Sequence, residues 1–202
     1  MIKLIENNGD LEVFCRSLAV EPFITVDLEF LREKTYYAKL CLIQVGSQHE
    51  CAIIDPLAPE MNLQPFFELM DNPQIVKVFH AGRQDLEIIY FMHHRIPAPL
   101  FDTQVAAQVC GYGESVGYET LVNSLLNLEL DKSFRFTNWE ARPLDKRQLE
   151  YAICDVTHLV PIYLKLQDIL KQTGREGWVK EEIEHLSCLL YTSPSPRDTE
   201  RS

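Results

Sequence analysis

The residues from Phe23 to Phe30 read FITVDLEF, and this run decides the fold. It is rich in β-branched and aromatic residues, which favour a strand. Successive side chains of a strand point to opposite faces, so Asp27 and Glu29 share one face. The other face is apolar throughout and consists of Ile24, Val26, Leu28 and Phe30. The sequence therefore predicts a strand that buries one face and carries two neighbouring acids on the other.

The residues around this strand predict a larger sheet with helices. Asn8 to Ala19 has helical spacing, and Lys39 to Gly46 and Glu50 to Asp55 are strand-like, as in a meander of neighbouring strands. From Leu63 to Asp102 helix-like and strand-like runs alternate, which is typical of β-α-β units. From Thr103 onward the chain is mostly helical. The predicted fold class is α/β, with a mixed sheet flanked by helices and a helical C-terminal half.

The composition is that of a folded, acidic protein. Of 202 residues, 46% are hydrophobic and 24% are charged, which excludes a wholly disordered chain. No apolar run reaches the roughly 18–20 residues of a membrane span, and the first residues have no signal-peptide pattern. Six scattered cysteines without a Cys-x-x-Cys pair predict free thiols in a cytoplasmic protein. The net charge of −11 repels nucleic acid at long range, so binding a polynucleotide would require local basic clusters or bound cations.

The end of the chain differs in composition from the rest. Residues 188–202 read CLLYTSPSPRDTERS, and a segment so rich in Ser, Pro and Thr is typical of a disordered tail. The segment also looks like one translated frame of a transposon-type sequencing adaptor. We therefore predict one domain over residues 1–187, followed by a disordered or non-native tail.

The two acids of the first strand have two interpretations. Carboxylates side by side repel each other, so one must be protonated or a cation must lie between them. Alternatively, this face of the strand is wet, as in many antiparallel sheets. Asp27 and Glu29 alone do not decide between these interpretations.

A second candidate site lies on a long helix predicted from Lys146 to Lys171. Its predicted apolar stripe consists of Leu149, Ile153, Val156, Val160 and Tyr163. Arg147, Tyr151 and Asp155 follow one another at intervals of four residues, so they share one adjacent face. Tyr151 and Asp155 thus present a phenol and a carboxylate toward the same spot. The helix alone favours the plainer interpretation, in which this face is exposed to solvent.

Three polar residues lie where predicted strands end. Asp85 falls in the first turn of the helix after the strand that ends at His80, and the helix dipole alone makes an acid favourable there. His80 is expected to be a partly buried histidine with its hydrogen bonds satisfied, or else a phosphate contact. Asp102 is explained as a helix N-cap.

A basic segment runs from Lys132 to Arg147. Its five basic residues are Lys132, Arg135, Arg142, Lys146 and Arg147, against two acidic ones. Phe134, Phe136 and Trp139 lie between them, which offers phosphate contacts together with surfaces for base stacking. Trp139 is equally well explained as an anchor of this segment to the core.

The order and spacing of these residues resemble the DEDD superfamily of 3′–5′ exonucleases, tyrosine subtype, and within it the bacterial ribonuclease D family. The resemblance extends from about Ile24 to Val179. It rests on VDLEFLREKTYYAKLCLIQVG, IVKVFHAGRQDLEI, PLFDTQ, LDKSFRFTNWEARPLDKRQLEYAICDVTHLVPI and EGWV. It implies a ribonuclease H-like sheet whose four acids converge at one end. It also implies further helical RNA-binding domains downstream, beyond the truncated end of this chain.

The resemblance also implies a role for each motif. Asp27 and Glu29 match the first exonuclease motif, Asp85 the second, and Tyr151 with Asp155 the third. The four acids would hold two Mg²⁺ ions, for which Mn²⁺ can substitute: Asp27 bridges both, Glu29 and Asp155 complete the first, and Asp85 serves the second. Tyr151 would orient the attacking water, because a phenol with a pKa near ~10 is a poor base at neutral pH.

Five residues are expected to contact the substrate: Leu28, Phe30, His80, Arg142 and Arg147. Leu28 departs from the family, which usually has Thr between the first two acids. Since the family uses mainly the backbone at this position, we expect activity to survive with an altered grip on the terminal nucleotide. Arg32 and Lys34 are expected near the penultimate phosphates.

The expected function is that of a 3′–5′ exoribonuclease that uses two-metal-ion hydrolysis. It would trim single-stranded 3′ ends of RNA, including tRNA precursors and small RNAs, and release nucleoside 5′-monophosphates. No obligate protein partner and no membrane are expected. One alternative is a DNA 3′–5′ exonuclease with the same metal core, because RNA is favoured only by the resemblance. The other is a catalytically idle module that binds RNA or a partner, against which the presence of all four acids counts.

Overall fold

The computed structural model describes residues 2–32, 38–130 and 137–192. In these ranges the chain forms a mixed sheet with helices on both faces. The strands are β1 (Leu4–Ile5), β2 (Phe23–Leu31), β3 (Lys39–Gly46), β4 (Cys51–Ile54), β5 (Val76–Phe79) and β6 (Leu100–Asp102). The helices are α1 (Asn8–Leu18), α2 (Gln64–Asp71), α3 (Arg83–His93), α4 (Thr103–Val109), α5 (Tyr118–Leu126), α6 (Lys146–Thr173) and α7 (Glu176–Thr192).

The sheet has the strand order β1-β4-β3-β2-β5-β6. Strand β3 pairs antiparallel with β2 on one side and with β4 on the other, which confirms the predicted meander. Strands β5 and β6 continue the sheet parallel to β2, and β1 pairs in parallel with β4. The predicted α/β class is therefore confirmed. The strand that carries the first two acids lies in the interior of the sheet, between β3 and β5.

The two faces of β2 pack against different sets of helices. Ile24, Val26 and Leu28 belong to a core shared with α1, α2 and α3, as their alternation predicts. Phe23 belongs to a second core, which β5, β6 and the helices α4 to α7 complete. The face of β2 that carries the acids is therefore the face toward the C-terminal helices.

Helix α6 begins with a capping box. The Asp145 side chain accepts from the Arg147 N–H, and the Gln148 side chain accepts from the Asp145 N–H at 2.8 Å. The helix ends at Gly174, whose φ of 65° favours glycine.

The predicted apolar stripe of α6 is displaced in the structure. Leu149, Ile153 and Val160 are only half-buried. The buried positions are Gln148, Ala152, Val156, Leu159, Ile162, Tyr163, Leu166 and Leu170. The stripe is displaced because α6 packs on the sheet through the small side chain of Ala152. The larger side chains of Leu149 and Ile153 lie beside this contact and stay partly exposed.

The C-terminal helix crosses the predicted domain boundary. Helix α7 continues to Thr192, five residues beyond residue 187, so the first part of the predicted tail is helical. Residues 193–202 lie outside the described residues. Within the described ranges, no helix combines the length and hydropathy that crossing a membrane requires.

Candidate metal centre

Three of the predicted acids meet on the covered face of the sheet. One carboxylate oxygen from each of Asp27, Glu29 and Asp155 lies within 4.8 Å of those of the other two. Asp27 and Glu29 project from β2, and Asp155 reaches them from α6. Hard carboxylate oxygens at this spacing are suitable ligands for a divalent cation such as Mg²⁺.

A close contact between α6 and the sheet brings Asp155 to this position. The Thr25 hydroxyl lies 2.9 Å from the Val156 carbonyl oxygen and 3.2 Å from that of Gly46. A Cβ atom at Gly46 would lie 2.8 Å from the Thr25 hydroxyl oxygen and 3.4 Å from the Val156 Cβ. Gly46 is thus required where helix and sheet approach, directly beside Asp155.

The electrostatics of the cluster favour protonation when no cation is present. Burial raises the pKa of Asp27 and of Asp155 above the ordinary carboxyl range, and the neighbouring charge of Asp27 raises that of Asp155 further. The pKa of Glu29 is also raised. The largest cause is burial, and the charges of Asp27, Asp155 and Asp85 raise it further. A bound cation would offset this mutual repulsion and take the place of the protons.

Asp85 adds a fourth carboxylate from a different element. It lies in the first turn of α3 and is 8% exposed. Burial raises its pKa well above the usual range, and the charges of Asp27 and Asp102 raise it further. Asp85 is not one of the three acids that lie within 4.8 Å of one another, but its charge raises the pKa of Glu29, and the charge of Asp27 raises the pKa of Asp85.

The loop before Asp85 is fixed by a second acid. Asp102 caps α4 as predicted, accepting from the Gln104 and Val105 N–H groups. The same carboxylate also accepts from the N–H groups of Ala81 and Gly82, at 3.1 and 2.8 Å. The sequence indicated only the cap, because the loop that Asp102 holds lies twenty residues upstream.

The third motif is arranged as its spacing predicts. Tyr151 precedes Asp155 by one turn of α6, and its half-buried ring lies 6.2 Å from the Trp139 ring between centroids. Trp139 is 3% exposed and packs with Cys41, Leu42, Ile53 and Ala152. Of the two interpretations of Trp139, the structure favours the anchor to the core.

Tyr118 is a neighbour of the site that sequence reasoning missed. Its hydroxyl donates to the Asp155 carbonyl oxygen at 2.6 Å, and burial raises its pKa well above the usual range. Its ring lies 5.3 Å from that of His80. In the sequence it is one more aromatic residue at the start of a helix, which offers no functional signal.

His80 is largely buried in the structure. Its Nδ1 lies 3.0 Å from the Thr103 hydroxyl, which itself donates to the Phe79 carbonyl oxygen, so Nδ1 is assigned as the donor. Nε2 is buried and has no hydrogen-bond partner among the described residues. Burial lowers the pKa of His80, which favours the neutral ring.

Arg142, which is expected to contact the substrate, is held by protein groups in this structure, and its contact with the substrate stays a prediction. Its guanidinium binds both carboxylate oxygens of Asp55, at 2.6 and 2.7 Å. The remaining N–H groups donate to the carbonyl oxygens of Cys41, Trp139 and Ala141. All donors of Arg142 therefore hold the segment before α6 on the sheet.

The other predicted substrate residues differ in accessibility. Arg147 is exposed on the first turn of α6. The Leu28 side chain is 4% exposed within the core, so only its backbone is available, and Phe30 is half-buried against the same core. Several predicted contacts lie outside the described residues: Lys34, Lys132, Phe134, Arg135 and Phe136.

Comparisons with known proteins agree with this architecture. A family described as 3′–5′ exonuclease matches residues 2–171. Ribonuclease D of Sphingobium indicum is 51% identical over 185 residues, which are 91% of this chain and 48% of that protein. The chain thus spans about half the length of this relative.

Solved structures give the same result for the fold. Escherichia coli RNase D, an exoribonuclease involved in structured RNA processing, matches with a TM-score of 0.94 and 35% identity, over 100% of this chain and 54% of that one. Brucella melitensis NrnC with bound Mg²⁺ matches with a TM-score of 0.79 and 23% identity, over 95% of this chain and 92% of that one. The match to RNase D confirms the predicted ribonuclease H-like fold.

Proposed function

Because the chain belongs to the family of 3′–5′ exonucleases, we propose that it removes nucleotides one at a time from the 3′ end of RNA. The observation that carries this proposal is the half-buried cluster of Asp27, Glu29 and Asp155, whose carboxylate oxygens lie within 4.8 Å of one another. Without a cation, three carboxylates in this position repel each other and resist ionisation. Their arrangement is therefore explained by cation binding better than by stability.

Two divalent cations fit the donors that the site offers. Asp27 would be shared between the two, Glu29 and Asp155 would complete the first, and Asp85 would serve the second. Oxygen ligands without His or Cys suit Mg²⁺, with Mn²⁺ as a substitute. The Mg²⁺ bound to NrnC, a protein of the same fold, supports this choice. When bound, such a pair would lower the pKa of the attacking water and stabilise the charge on the leaving 3′ oxygen.

Protein groups around the cluster would orient the reactants. The Tyr151 hydroxyl, one turn before Asp155, would hydrogen-bond to the attacking water and hold it in line with the scissile bond. The Arg147 side chain, one turn further out on α6, is exposed and would contact a phosphate of the substrate. The product would be a nucleoside 5′-monophosphate, because the bond to the 3′ oxygen breaks.

The substrates we propose are single-stranded 3′ ends of RNA, including those of tRNA precursors. We propose the cytoplasm as the place where the protein acts. The support is the 51% identity to a ribonuclease D and the match to an RNase D that processes structured RNA. The local charge is compatible with this, since Arg147 and Lys146 are exposed on the first turn of α6.

The test uses 5′-labelled single-stranded RNA, DNA of the same sequence, and RNA blocked by a 3′-phosphate. With Mg²⁺ or Mn²⁺, we expect a ladder that shortens from the 3′ end of the unblocked RNA, and no reaction with a chelator. RNA that stays intact with both cations would contradict the proposal. Faster degradation of the DNA would favour the DNA exonuclease instead.

A further inference from the structure

A buried amide lies beside the metal centre, and none of the roles proposed above uses it. Gln44 on β3 is the register partner of Asp27 on β2. Directly opposite residues of antiparallel strands project from the same face, with Cβ atoms about 4.5–5.5 Å apart. The Gln44 side chain therefore lies next to Asp27, on the face that α6 covers.

This amide has no access to solvent. Gln44 is 0% exposed, and neither its Nε2 nor its Oε1 has a hydrogen-bond partner among the described residues. Its register partner on the other side is the apolar Ile53 of β4, which packs in one cluster with Ala152 of α6. Of the two register partners of Gln44, only Asp27 on β2 has a polar side chain.

The fold has a cost at this position that an apolar residue would avoid. A primary amide has two donor hydrogens and an acceptor oxygen, and burying them without partners is unfavourable. A leucine would fill similar space without any polar atom. Buried polar groups of this kind call for a partner, and the described residues do not supply one for Gln44.

We propose that Gln44 is a positioning residue for Asp27. In the cation-bound protein, the Gln44 Nε2–H donates to the ionised Asp27 carboxylate, directly or through one buried water, and fixes the orientation of this shared ligand. An amide suits the task because it donates a hydrogen bond and leaves the negative charge of the carboxylate available to the cation. A lysine or arginine would neutralise that charge. The inference rests on the proposed cation site.

The test compares Gln44→Leu with the wild-type chain by calorimetric titration with Mn²⁺ and by thermal unfolding in chelator. Loss of a partner that orients a metal ligand typically lowers metal affinity about 10- to 100-fold, and we expect a change of this size. Without cation, the melting temperature should be unchanged or higher, because two unpartnered polar atoms are removed. Activity should recover in part when Mn²⁺ is raised, since the ligands themselves remain.

A matched control is the same substitution at the other buried glutamine of the site region. Gln148 is buried too, but its side chain is partnered, with the Asp145 N–H at 2.8 Å and the Thr137 hydroxyl at 2.7 Å. Gln148→Leu should lower the melting temperature and leave the Mn²⁺ affinity unchanged. An equal loss of affinity in this control would overturn the inference, because the effect would then not be specific to Gln44.

The remaining outcomes separate this inference from the proposed function. Gln44→Met serves as a second apolar variant in case leucine disturbs the packing. Wild-type Mn²⁺ affinity in either variant, if folded, would overturn the role of Gln44 alone. A melting temperature lowered in chelator in both variants would also overturn it, since the amide would then have a partner within the protein. A wild-type chain that binds no Mn²⁺ would overturn both proposals.

Discussion

Asp155 is a residue at which function and stability oppose each other. Its side chain is half-buried beside Asp27, and desolvation together with the charge of Asp27 raises its pKa to about 8. We expect Asp155→Asn to abolish exonuclease turnover, because one ligand of the cation site is lost. The fold should remain intact, and the melting temperature in chelator should rise slightly, since one source of repulsion is removed. Turnover assays and thermal unfolding with and without Mg²⁺ measure the two effects. Full Mg²⁺-dependent activity, or an unfolded variant, would contradict the assignment.

The hydroxyl of Tyr151 can be tested separately from the cation ligands. If it orients the attacking water, Tyr151→Phe should lower kcat by about 10²–10³-fold, the usual cost of one positioned group. RNA binding and the Mg²⁺ requirement should stay near wild type, and the ring should keep the fold stable. Asp27→Ala is the comparison, because it removes the shared ligand and should abolish the response to Mg²⁺. A Mg²⁺ requirement that shifts equally in both variants would place Tyr151 among the residues that build the cation site.

Two arginines of one segment should respond in opposite ways to the same substitution. Arg142→Met leaves the buried Asp55 carboxylate without its partner, so we expect a loss of about 3 kcal/mol in the free energy of unfolding and an unchanged KM. Arg147→Met removes an exposed charge, so the KM for RNA should rise while stability changes little. Denaturant unfolding and steady-state kinetics on both variants measure this. A raised KM in Arg142→Met alone would support the predicted contact of Arg142 with the substrate.

At the scale of elements, the approach of α6 to the sheet depends on the missing side chain of Gly46. Gly46→Ala would place a Cβ atom 2.8 Å from the Thr25 hydroxyl oxygen, against two packed elements. We expect it to lower stability by about 1–3 kcal/mol. It should also lower activity, because Asp155 moves with α6.

The control for this substitution is a glycine with free space around it. Gly177 lies in α7, and a Cβ atom there would meet nothing within 4 Å. Gly177→Ala should raise stability by about 0.5–1 kcal/mol, because alanine favours a helix over glycine. Chemical denaturation of both variants gives the comparison. Equal changes in the free energy of unfolding at the two positions would show that the contact between α6 and the sheet accommodates the added Cβ atom at residue 46.

How much the sequence revealed differs from element to element. Alternation and composition predicted the bounds of β3, Lys39 to Gly46, to the residue. In α6 they predicted the burial of Val156 and Tyr163 correctly but missed Gln148 and Ala152, which are buried for reasons of capping and close approach, not of hydropathy. Local sequence patterns predict which residues of an element share a face, but they do not predict the shape of the surface against which that face packs.

The same limit applies to the site. Strand periodicity paired Asp27 with Glu29, and helix periodicity paired Tyr151 with Asp155. That the two pairs meet in one site followed only from the family resemblance. The ion pair of Arg142 with Asp55 was not predicted, because the two residues lie 87 positions apart and no local pattern joins them. Tyr118 was missed for a related reason, since its hydroxyl donates to a carbonyl oxygen 37 residues downstream.

For the molecule as a whole, the acidic cluster predicts how stability depends on pH. Its carboxyls hold protons more tightly in the folded state than in the unfolded state, with pKa values of about 7 for Asp27 and about 8 for Asp155. Their contribution to stability is therefore full below pH ~4 and is lost as the pH rises through these raised values. In chelator, the melting temperature should fall between pH 5 and 8 for this reason, and Mg²⁺ should reduce the fall.

The comparison that isolates this effect uses an Asp27→Asn, Asp155→Asn double variant. Its melting temperature in chelator should depend less steeply on pH over the same range, because the two groups that release protons are gone. A double variant whose slope equals that of the wild type would assign the pH dependence to other groups.

The hydrogen bond from Thr25 to Val156 has a consequence for the order of events during synthesis. These residues are 131 positions apart, so β2 leaves the ribosome long before the helix that completes its acidic cluster. Domains form from the N-terminus during translation at about 5–20 residues per second, so the two halves of the site are separated by several seconds of elongation. A nascent chain therefore carries Asp27 and Glu29 without Asp155. The cluster of three acids is incomplete until nearly the whole domain has emerged.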